Sequence, residues 1–252
     1  MRLLRKLRVA LTARDRLLKT TLPSGAVVFG RNQRGYGGRG IYVFRDAIEA
    51  ELAHLGAFLE PADVFVDVGA STGIYALEAA MLVGTRGVVL AVEPFPEVYA
   101  TLYHSIRANG FTQVRPRSVC LGSRIEPRTL WLNFGRPSLF STMERAGDAP
   151  GLPVLAVSLD DLLRWEGLDQ VAYVKIDAEG AEEEILTGAA DTIARCRPIV
   201  QIEVSVRRFR PKLPDYAGFQ AAGSPNVVYL PNDHPKLGVP ARLGWPRLRD
   251  GA

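Results

Sequence analysis

Acidic residues stand near the ends of several apolar stretches of this chain. They are Asp67, Glu93, Asp177 and Glu203. A carboxylate there can accept hydrogen bonds from ribose hydroxyls, pair with an ammonium group, or remove a proton from a substrate. If the apolar stretches are neighbouring parallel strands, their carboxyl ends meet at one edge of a sheet, where ligands bind in open α/β folds. The acids therefore predict a single binding or catalytic site.

The first of these stretches runs into a turn with the pattern D-x-G-x-x-x-G, from Asp67 to Gly73. Ser71 replaces the glycine that lets a pyrophosphate approach the backbone in the dinucleotide-binding fingerprint, so a dinucleotide is not favoured. Glu93, about twenty residues after the turn, suits both hydroxyls of a ribose, and Asp67 suits an ammonium group. The pair favours S-adenosylmethionine, a nucleoside with a cationic amino-acid tail. The alternative is that the glycines only make a turn and that Glu93 is solvated.

The next predicted strand, Ser118–Gly122, ends beside the adenine in such a site. Cys120 and Leu121 are then candidates for the adenine wall, although they fit the core equally well. The predicted cofactor-binding residues are Asp67, Gly69, Ala70, Ser71, Gly73, Tyr75, Glu93, Pro94, Cys120 and Leu121.

A second chemical centre follows the apolar stretch that begins at Val171. Lys175 and Asp177 share one face of the predicted strand because side chains alternate along it, and a buried lysine needs a partner. They are either a structural ion pair, with Glu179 as a helix N-terminal charge, or part of a catalytic centre. In a catalytic centre, one acid is the general base for an acceptor hydroxyl, or Asp177, Glu179 and Glu203 hold a divalent cation such as Mg²⁺. The catalytic candidates are Lys175, Asp177, Glu179 and Glu203, and no residue is assigned as a metal ligand.

Strand and helix patterns alternate through most of the chain and predict an α/β fold, a mostly parallel sheet with helices on both faces. Helices are predicted over 46–59, 75–81, 96–107 and 181–194, and the last clear strand is Asn226–Pro231. A small hairpin of 26–30 with 41–44 is expected ahead of the sheet. The predicted organisation is a basic helix-and-hairpin extension (1–45), one domain (46–235) and a loosely ordered tail (236–252).

The net charge of +4 and pI of 9.2 permit contact with nucleic acid or an anionic membrane but require neither. Met1–Thr20 alternates leucines with basic residues near the helical period. It is either an amphipathic helix on an anionic bilayer or a helix docked on the domain with its charges in water. The sequence has no signal peptide, no membrane-length apolar run and no paired cysteine motif, so a cytoplasmic protein is expected.

With both centres in view, the chain resembles the FkbM family of S-adenosylmethionine-dependent methyltransferases. The matching segments are Phe65–Tyr75, Glu93–Pro94 and Val174–Glu182, with Pro198 and Glu203 beyond them. The resemblance implies a seven-stranded class I methyltransferase sheet, S-adenosylmethionine as methyl donor, and O-methylation of a sugar, glycolipid or polyketide-like hydroxyl. The chain differs from the family pattern at 206–227, which is short for the usual helix and strand and predicts a reduced sheet edge.

Two other functions are compatible with the sequence. An RNA or DNA methyltransferase would suit the positive charge, but the basic residues are not interleaved with aromatic ones and no N-P-P-[FY]-like motif is present, so nucleic acid is not favoured as a partner. The other alternative is a non-catalytic cofactor-binding accessory protein that contacts a membrane surface through residues 1–20.

Overall fold

Parallel strands rich in valine and isoleucine form the centre of the molecule. The computed structural model describes residues 2–33, 38–132, 140–141, 145, 147–204, 211 and 213–248. In chain order the helices and strands are α1 (Arg2–Leu11), β1 (Leu17–Thr21), β2 (Val27–Arg31), α2 (Arg39–Phe44), α3 (Ala50–Ala53), β3 (Val64–Val68), α4 (Ile74–Val83), β4 (Val88–Val92), α5 (Pro96–Asn109), β5 (Val114–Arg117), β6 (Cys120–Leu121), β7 (Glu126–Leu132), β8 (Phe140–Ser141), β9 (Gly151–Val157), α6 (Leu159–Glu166), β10 (Tyr173–Ile176), α7 (Glu182–Thr187), α8 (Ala190–Cys196), β11 (Ile199–Glu203), β12 (Tyr216–Phe219), β13 (Asn226–Pro231) and α9 (Val239–Arg242).

Within the described residues the main sheet has seven strands in the order β12-β13-β11-β10-β3-β4-β5. The five strands from β11 to β5 are parallel, and β13 is antiparallel to both of its neighbours. This is the predicted class I methyltransferase arrangement. The expected loss of the sheet edge was wrong, because the short connection after β11 still contains the edge strand β12.

Alternate residues of the central strands fill two separate cores, one on each face of the sheet. Phe65 and Tyr173 lie on the face covered by α4 and α5, whereas Val66 and Val174 lie on the face covered by α6 and α7. Both cores are fully buried, so the strands hold the side chains at their carboxyl ends in fixed positions. Ser158 caps the start of α6, since its Oγ accepts a hydrogen bond from the Asp161 amide at 3.0 Å.

The first fifty residues differ from the sequence prediction. The N-terminal helix ends at Leu11, and Leu17–Thr21 is a strand. The predicted strand near 26–30 is present as Val27–Arg31, but it forms the hairpin with Leu17–Thr21 and not with 41–44. Residues 39–44 are helical instead of forming a strand. The helical prediction for Met1–Thr20 is wrong from Leu17 onward, because that segment forms backbone hydrogen bonds with β2. In the described residues, no helix has the length and apolar character needed to cross a bilayer.

Three predicted elements are broken or moved. The helix expected over 46–59 is a 3₁₀ turn (Arg45–Ile48), the short α3 and a second 3₁₀ turn (Leu55–Ala57). The helix expected over 181–194 is divided into α7 and α8 at Gly188, where the carbonyl of Gly122 leaves no room for a side chain. The third strand of the main sheet is β5, and Cys120–Leu121 pairs instead with β9 in a second sheet of order β6-β9-β7-β8.

The tail is packed up to Leu248 and is not loosely ordered. Trp245 is buried and stacks on Phe58 with a centroid distance of 5.7 Å. Lys236 Nζ pairs with Glu60 Oε1 at 2.7 Å, and the Leu248 amide donates to the Gly218 carbonyl at 2.8 Å. These aromatic, ionic and backbone contacts outweigh the proline-rich composition from which disorder was predicted. Residues 249–252 lie outside the described residues.

Candidate functional site

A cavity of about 350 Å³ opens at the carboxyl ends of β3, β4, β10 and β11. Its volume lies at the lower end of the range for small-molecule sites. The predicted site residues that line it are Gly69, Ala70, Ser71, Tyr75, Glu93, Pro94, Cys120, Leu121, Lys175, Asp177, Glu179 and Glu203. Asp67 and Gly73 were also predicted but do not line it. The two centres found in the sequence therefore form one site.

The turn after β3 has an unusual backbone that only particular residues tolerate. Gly69, Ser71 and Gly73 all have positive φ, of +72°, +51° and +90°. The amides of Gly69 and Ala70 both donate to the carbonyl of Val92, at 3.0 and 2.9 Å. Since these amides are already used, the turn can offer a ligand carbonyl oxygens more readily than N–H groups. Such a turn suits an ammonium group and not a phosphate.

Glu93 links this turn to the end of β4. Its Oε2 accepts the Ser71 amide and its Oε1 accepts the Phe95 amide, both at 2.9 Å. Burial raises the pKa of Glu93 to about 7, and these two backbone hydrogen bonds limit the rise. Each oxygen keeps a lone pair, so the carboxylate can still accept hydrogen bonds from two hydroxyl groups.

Asp67 lies beneath the cavity floor. It is fully buried, and its Oδ2 accepts the Ala76 amide at 3.1 Å. Burial raises the pKa of Asp67, although the Lys175 ammonium, 3.5 Å from Oδ1, opposes this. The expectation that Asp67 contacts the ligand directly is therefore wrong. This carboxylate, near the end of β3, is enclosed by the sheet and by α4, and it acts on the site through its charge, which affects Lys175 and Glu93.

Lys175 is the buried cation at the centre of the site. Its Nζ lies 3.2 Å from Asp177 Oδ2 and 5.1 Å from the centroid of the Tyr75 ring. Burial alone would lower the pKa of Lys175, but the charges of Asp177, Asp67 and Glu49 outweigh burial and raise it. The lysine is therefore charged, and the predicted Lys175–Asp177 ion pair is present.

Asp177 has two partners. Burial would raise its pKa, but Lys175 and a hydrogen bond with the Glu203 side chain together lower it. Two carboxyl groups share a hydrogen bond only when one of them carries the proton. The lowered pKa of Asp177 favours its ionised form. Asp177 is then a carboxylate with two partners, Lys175 and Glu203, and it keeps lone pairs for a further hydrogen bond.

Glu179 differs from Asp177 in its surroundings. It is half-buried with a φ of +52°, and within the described residues no group forms a hydrogen bond to its carboxyl. Burial raises the pKa of Glu179 to about 7, helped by the charges of Asp177 and Glu182. Glu182 Oε1 accepts the Ala178 and Gly180 amides, both at 3.1 Å, and so holds the strained loop in place.

Sequence reasoning missed one whole wall of the cavity, formed by Gly40, Ile41, Ile48 and Glu49. Glu49 Oε2 accepts the Tyr75 hydroxyl at 2.7 Å and the Asn226 amide group at 3.0 Å. Gln201 Nε2 also donates to the Tyr75 hydroxyl, at 3.0 Å. Glu49 was placed on a predicted helix, and its distance in sequence from the two motifs left no signal that it lies beside them.

Cys120 and Leu121 line the opposite wall with Val98 and Leu130. Burial raises the pKa of Cys120 to about 12, and the nearby Glu93 adds to this. Cys120 is therefore a neutral thiol, and this wall is apolar, as a flat aromatic ring requires. Among the described residues, no three His, Cys, Asp or Glu side chains are grouped as metal ligands.

Comparison with known proteins gives a family match and several similar solved structures. The family model described as "Methyltransferase FkbM domain" matches residues 67–219, more than half of the chain. No curated protein matches. Among solved structures, an FkbM methyltransferase from Methylobacillus flagellatus KT has 18% identity and a TM-score of 0.48, covering 76% of this chain and 52% of its own. This chain thus spans about half the length of that protein.

Two further solved structures are similar at lower scores. A putative rRNA methylase from Clostridium thermocellum has 11% identity and a TM-score of 0.43, covering 70% of this chain and 89% of its own. A SAM-dependent methyltransferase from Aquifex aeolicus has 14% identity and a TM-score of 0.40, covering 72% and 88%. By the extent of the family match, the chain belongs to the FkbM methyltransferase family.

Proposed function

We propose that this protein transfers a methyl group from S-adenosylmethionine to a hydroxyl group of a sugar, a glycolipid or a polyketide-like molecule. One observation carries the proposal: the Gly69–Ser71 turn, Glu93 and the acids after β10 line the same cavity. Residues suited to hold the donor and to accept a proton therefore line the same space, which supports a transfer between two bound molecules.

The residues of the cavity fit the donor group by group. Glu93 would accept hydrogen bonds from the ribose hydroxyls, and carbonyl oxygens of the turn would face the amino-acid ammonium group. The apolar wall of Cys120 and Leu121 would cover the adenine. When bound, S-adenosylmethionine supplies an electrophilic methyl group attached to a positively charged sulfur.

Glu179 fits the role of general base better than Asp177. A base works best when its pKa lies near the working pH and when it has a free lone pair. Glu179 has a pKa of about 7 and lines the cavity, whereas the pKa of Asp177 is lowered and its carboxylate already has two partners, Lys175 and Glu203. Glu179 would take the proton of the acceptor hydroxyl, and the ionised Asp177 would accept a hydrogen bond from a neighbouring hydroxyl of the same molecule.

The acid-rich side of the cavity favours an acceptor with several hydroxyl groups. Glu49, Asp177, Glu179 and Glu203 all line it, and carboxylates are acceptors for hydroxyl donors. A sugar or a glycolipid head group presents such donors. An anionic acceptor is disfavoured by the same charges.

Release of S-adenosylhomocysteine tests this function. The purified chain would be incubated with S-adenosylmethionine and sets of sugars, glycolipids and polyols, and product would be followed by mass spectrometry. We expect acceptor-dependent release with a mass increase of one methyl group on an oxygen of the acceptor. Methylation of RNA, or binding of the donor without turnover on any acceptor, would contradict the proposal.

A further inference from the structure

Helix α1 carries a stripe of leucines that points away from the protein. Leu3, Leu4, Leu7 and Leu11 are 71%, 69%, 54% and 88% exposed. At 100° per residue these four side chains occupy an arc of about 100° on one side of the helix. Lys6 and Arg8 flank the arc on either side, and both are exposed. An apolar stripe of this kind on an exposed helix is a mark of an interaction surface.

The opposite face of α1 is fixed to the rest of the chain. Val9 is 2% exposed and packs with Leu18 and Val43. The Arg5 guanidinium donates to the Val43 carbonyl at 3.5 Å, and that of Arg2 lies 4.7 Å from the centroid of the Phe44 ring. A surface helix normally buries its leucines and exposes its charges. In this helix the leucines are exposed together with Lys6 and Arg8, so its orientation presents the apolar stripe outward.

The segment is also the source of the protein's positive charge. Residues 1–21 contain seven Lys and Arg residues and one acid, Asp15, which gives a net charge of +6. The whole chain has a net charge of +4, so residues 22–252 together carry −2. The excess of positive charge thus lies in the segment that carries the leucine stripe, with Lys6 and Arg8 beside the stripe and Arg2 and Arg5 on the docked face. This charge selects an anionic surface, and the leucines select one with an apolar interior.

We propose that α1 is an interfacial helix that lies on an anionic lipid bilayer, with Leu3, Leu4, Leu7 and Leu11 among the acyl chains. Lys6 and Arg8 meet the lipid head groups from the two sides of the stripe. The inference stands apart from the proposed methyl transfer, because it uses none of the residues of the cavity.

Vesicle sedimentation with the full chain tests the inference. Vesicles of phosphatidylcholine alone would be compared with vesicles that also contain phosphatidylglycerol. We expect the protein to sediment with the anionic vesicles only, and more weakly at high salt, because screening reduces the attraction of the basic residues. The double variant Leu4→Glu/Leu7→Glu should bind at least about tenfold more weakly, since it places two charges in the apolar stripe.

A matched control distinguishes the effect of disrupting the leucine stripe from the effect of adding two negative charges to the protein. Ile125 and Leu155 are 51% and 48% exposed on other elements, so Ile125→Glu/Leu155→Glu makes the same charge change elsewhere. This control variant should bind anionic vesicles as well as the original chain does. Both double variants should melt at the temperature of the original chain, because the four substituted side chains are exposed. Equal binding by the two double variants would overturn the proposal, as would no binding by the original chain. A third outcome would assign the stripe to a second copy of the chain instead. In that case the original chain does not bind vesicles but is a dimer by light scattering, and Leu4→Glu/Leu7→Glu is a monomer.

Discussion

The Cα atom of Gly69 lies directly against the main-chain carbonyl oxygen of Asp177. A Cβ atom built at Gly69 would overlap that oxygen, and the residue also has a φ of +72°. The turn after β3 and the loop after β10 are therefore in van der Waals contact, and each fixes the position of the other. Through this contact the glycine turn is packed against the acidic side of the cavity.

Replacement of Gly69 by alanine should disrupt both sides of the cavity. Gly110→Ala is the control, because Gly110 has a left-handed backbone with a similar φ of +67° and no atom within 4 Å of the added Cβ. The control should lose about 1–2 kcal/mol from the left-handed backbone alone, whereas Gly69→Ala should lose more and should also fail to bind the donor. Urea unfolding and donor titration measure the two effects. Equal behaviour of the two variants would show that the contact is unimportant.

Glu179→Gln should reduce kcat by about 10²–10⁴ if Glu179 is the general base. Donor affinity should stay near that of the original chain, because the predicted donor contacts are on the other side of the cavity. Glu183→Gln, an exposed glutamate on α7, is the control and should leave kcat unchanged. Full turnover in Glu179→Gln together with its loss in Asp177→Asn would assign the base to Asp177 instead.

The pH dependence of kcat should follow Glu179. The base must be ionised to accept a proton, and the pKa of Glu179 is raised to about 7. At saturating donor and acceptor, kcat should therefore fall about tenfold per pH unit below 7 and level off above it. Glu179→Gln should lack this acidic limb. A profile that is flat between pH 5 and 8 in the original chain would contradict the assignment.

Lys175→Met should destabilise the protein strongly. The substitution leaves the fully buried Asp67 and the half-buried Asp177 without their cation, and losing the partner of a buried charge typically costs about 3–5 kcal/mol. The loss should shrink as the pH falls and these carboxyls take up protons, because a neutral carboxyl no longer needs the ammonium group. Adding Asp177→Asn should restore part of the stability at neutral pH. Urea unfolding at two pH values measures this, and a loss below about 1 kcal/mol would mean that the ion pair is not essential.

The convergence of Glu93, Lys175 and Asp177 could be predicted from the sequence because their positions follow from local rules. Apolar strands that alternate with helices form parallel sheets, whose carboxyl ends share one edge. The alternation of side chains along β10 also predicted the Lys175–Asp177 pair. The positions of these residues at the ends of β4 and β10 could therefore be predicted without knowing how the rest of the chain packs.

The features that sequence reasoning missed depend on contacts between distant segments. Glu49 reaches the cavity because the turn before α3 packs over it, and no local pattern indicates this. Asp67 was assigned to the ligand because a strand-end carboxylate is often exposed, but α4 covers it. The prolines of the tail predict loose order, whereas Trp245 packs on Phe58. Tertiary packing decides each of these cases.

Binding of S-adenosylmethionine, measured by isothermal titration calorimetry, tests the central claim most directly. The account predicts one donor molecule per chain for the original protein and at least about tenfold weaker binding for Glu93→Ala, which removes the acceptor for both ribose hydroxyls. Glu97→Ala, an exposed glutamate at the start of α5, should bind the donor normally. Absence of binding by the original chain, or equal affinity in a folded Glu93→Ala variant, would contradict the account.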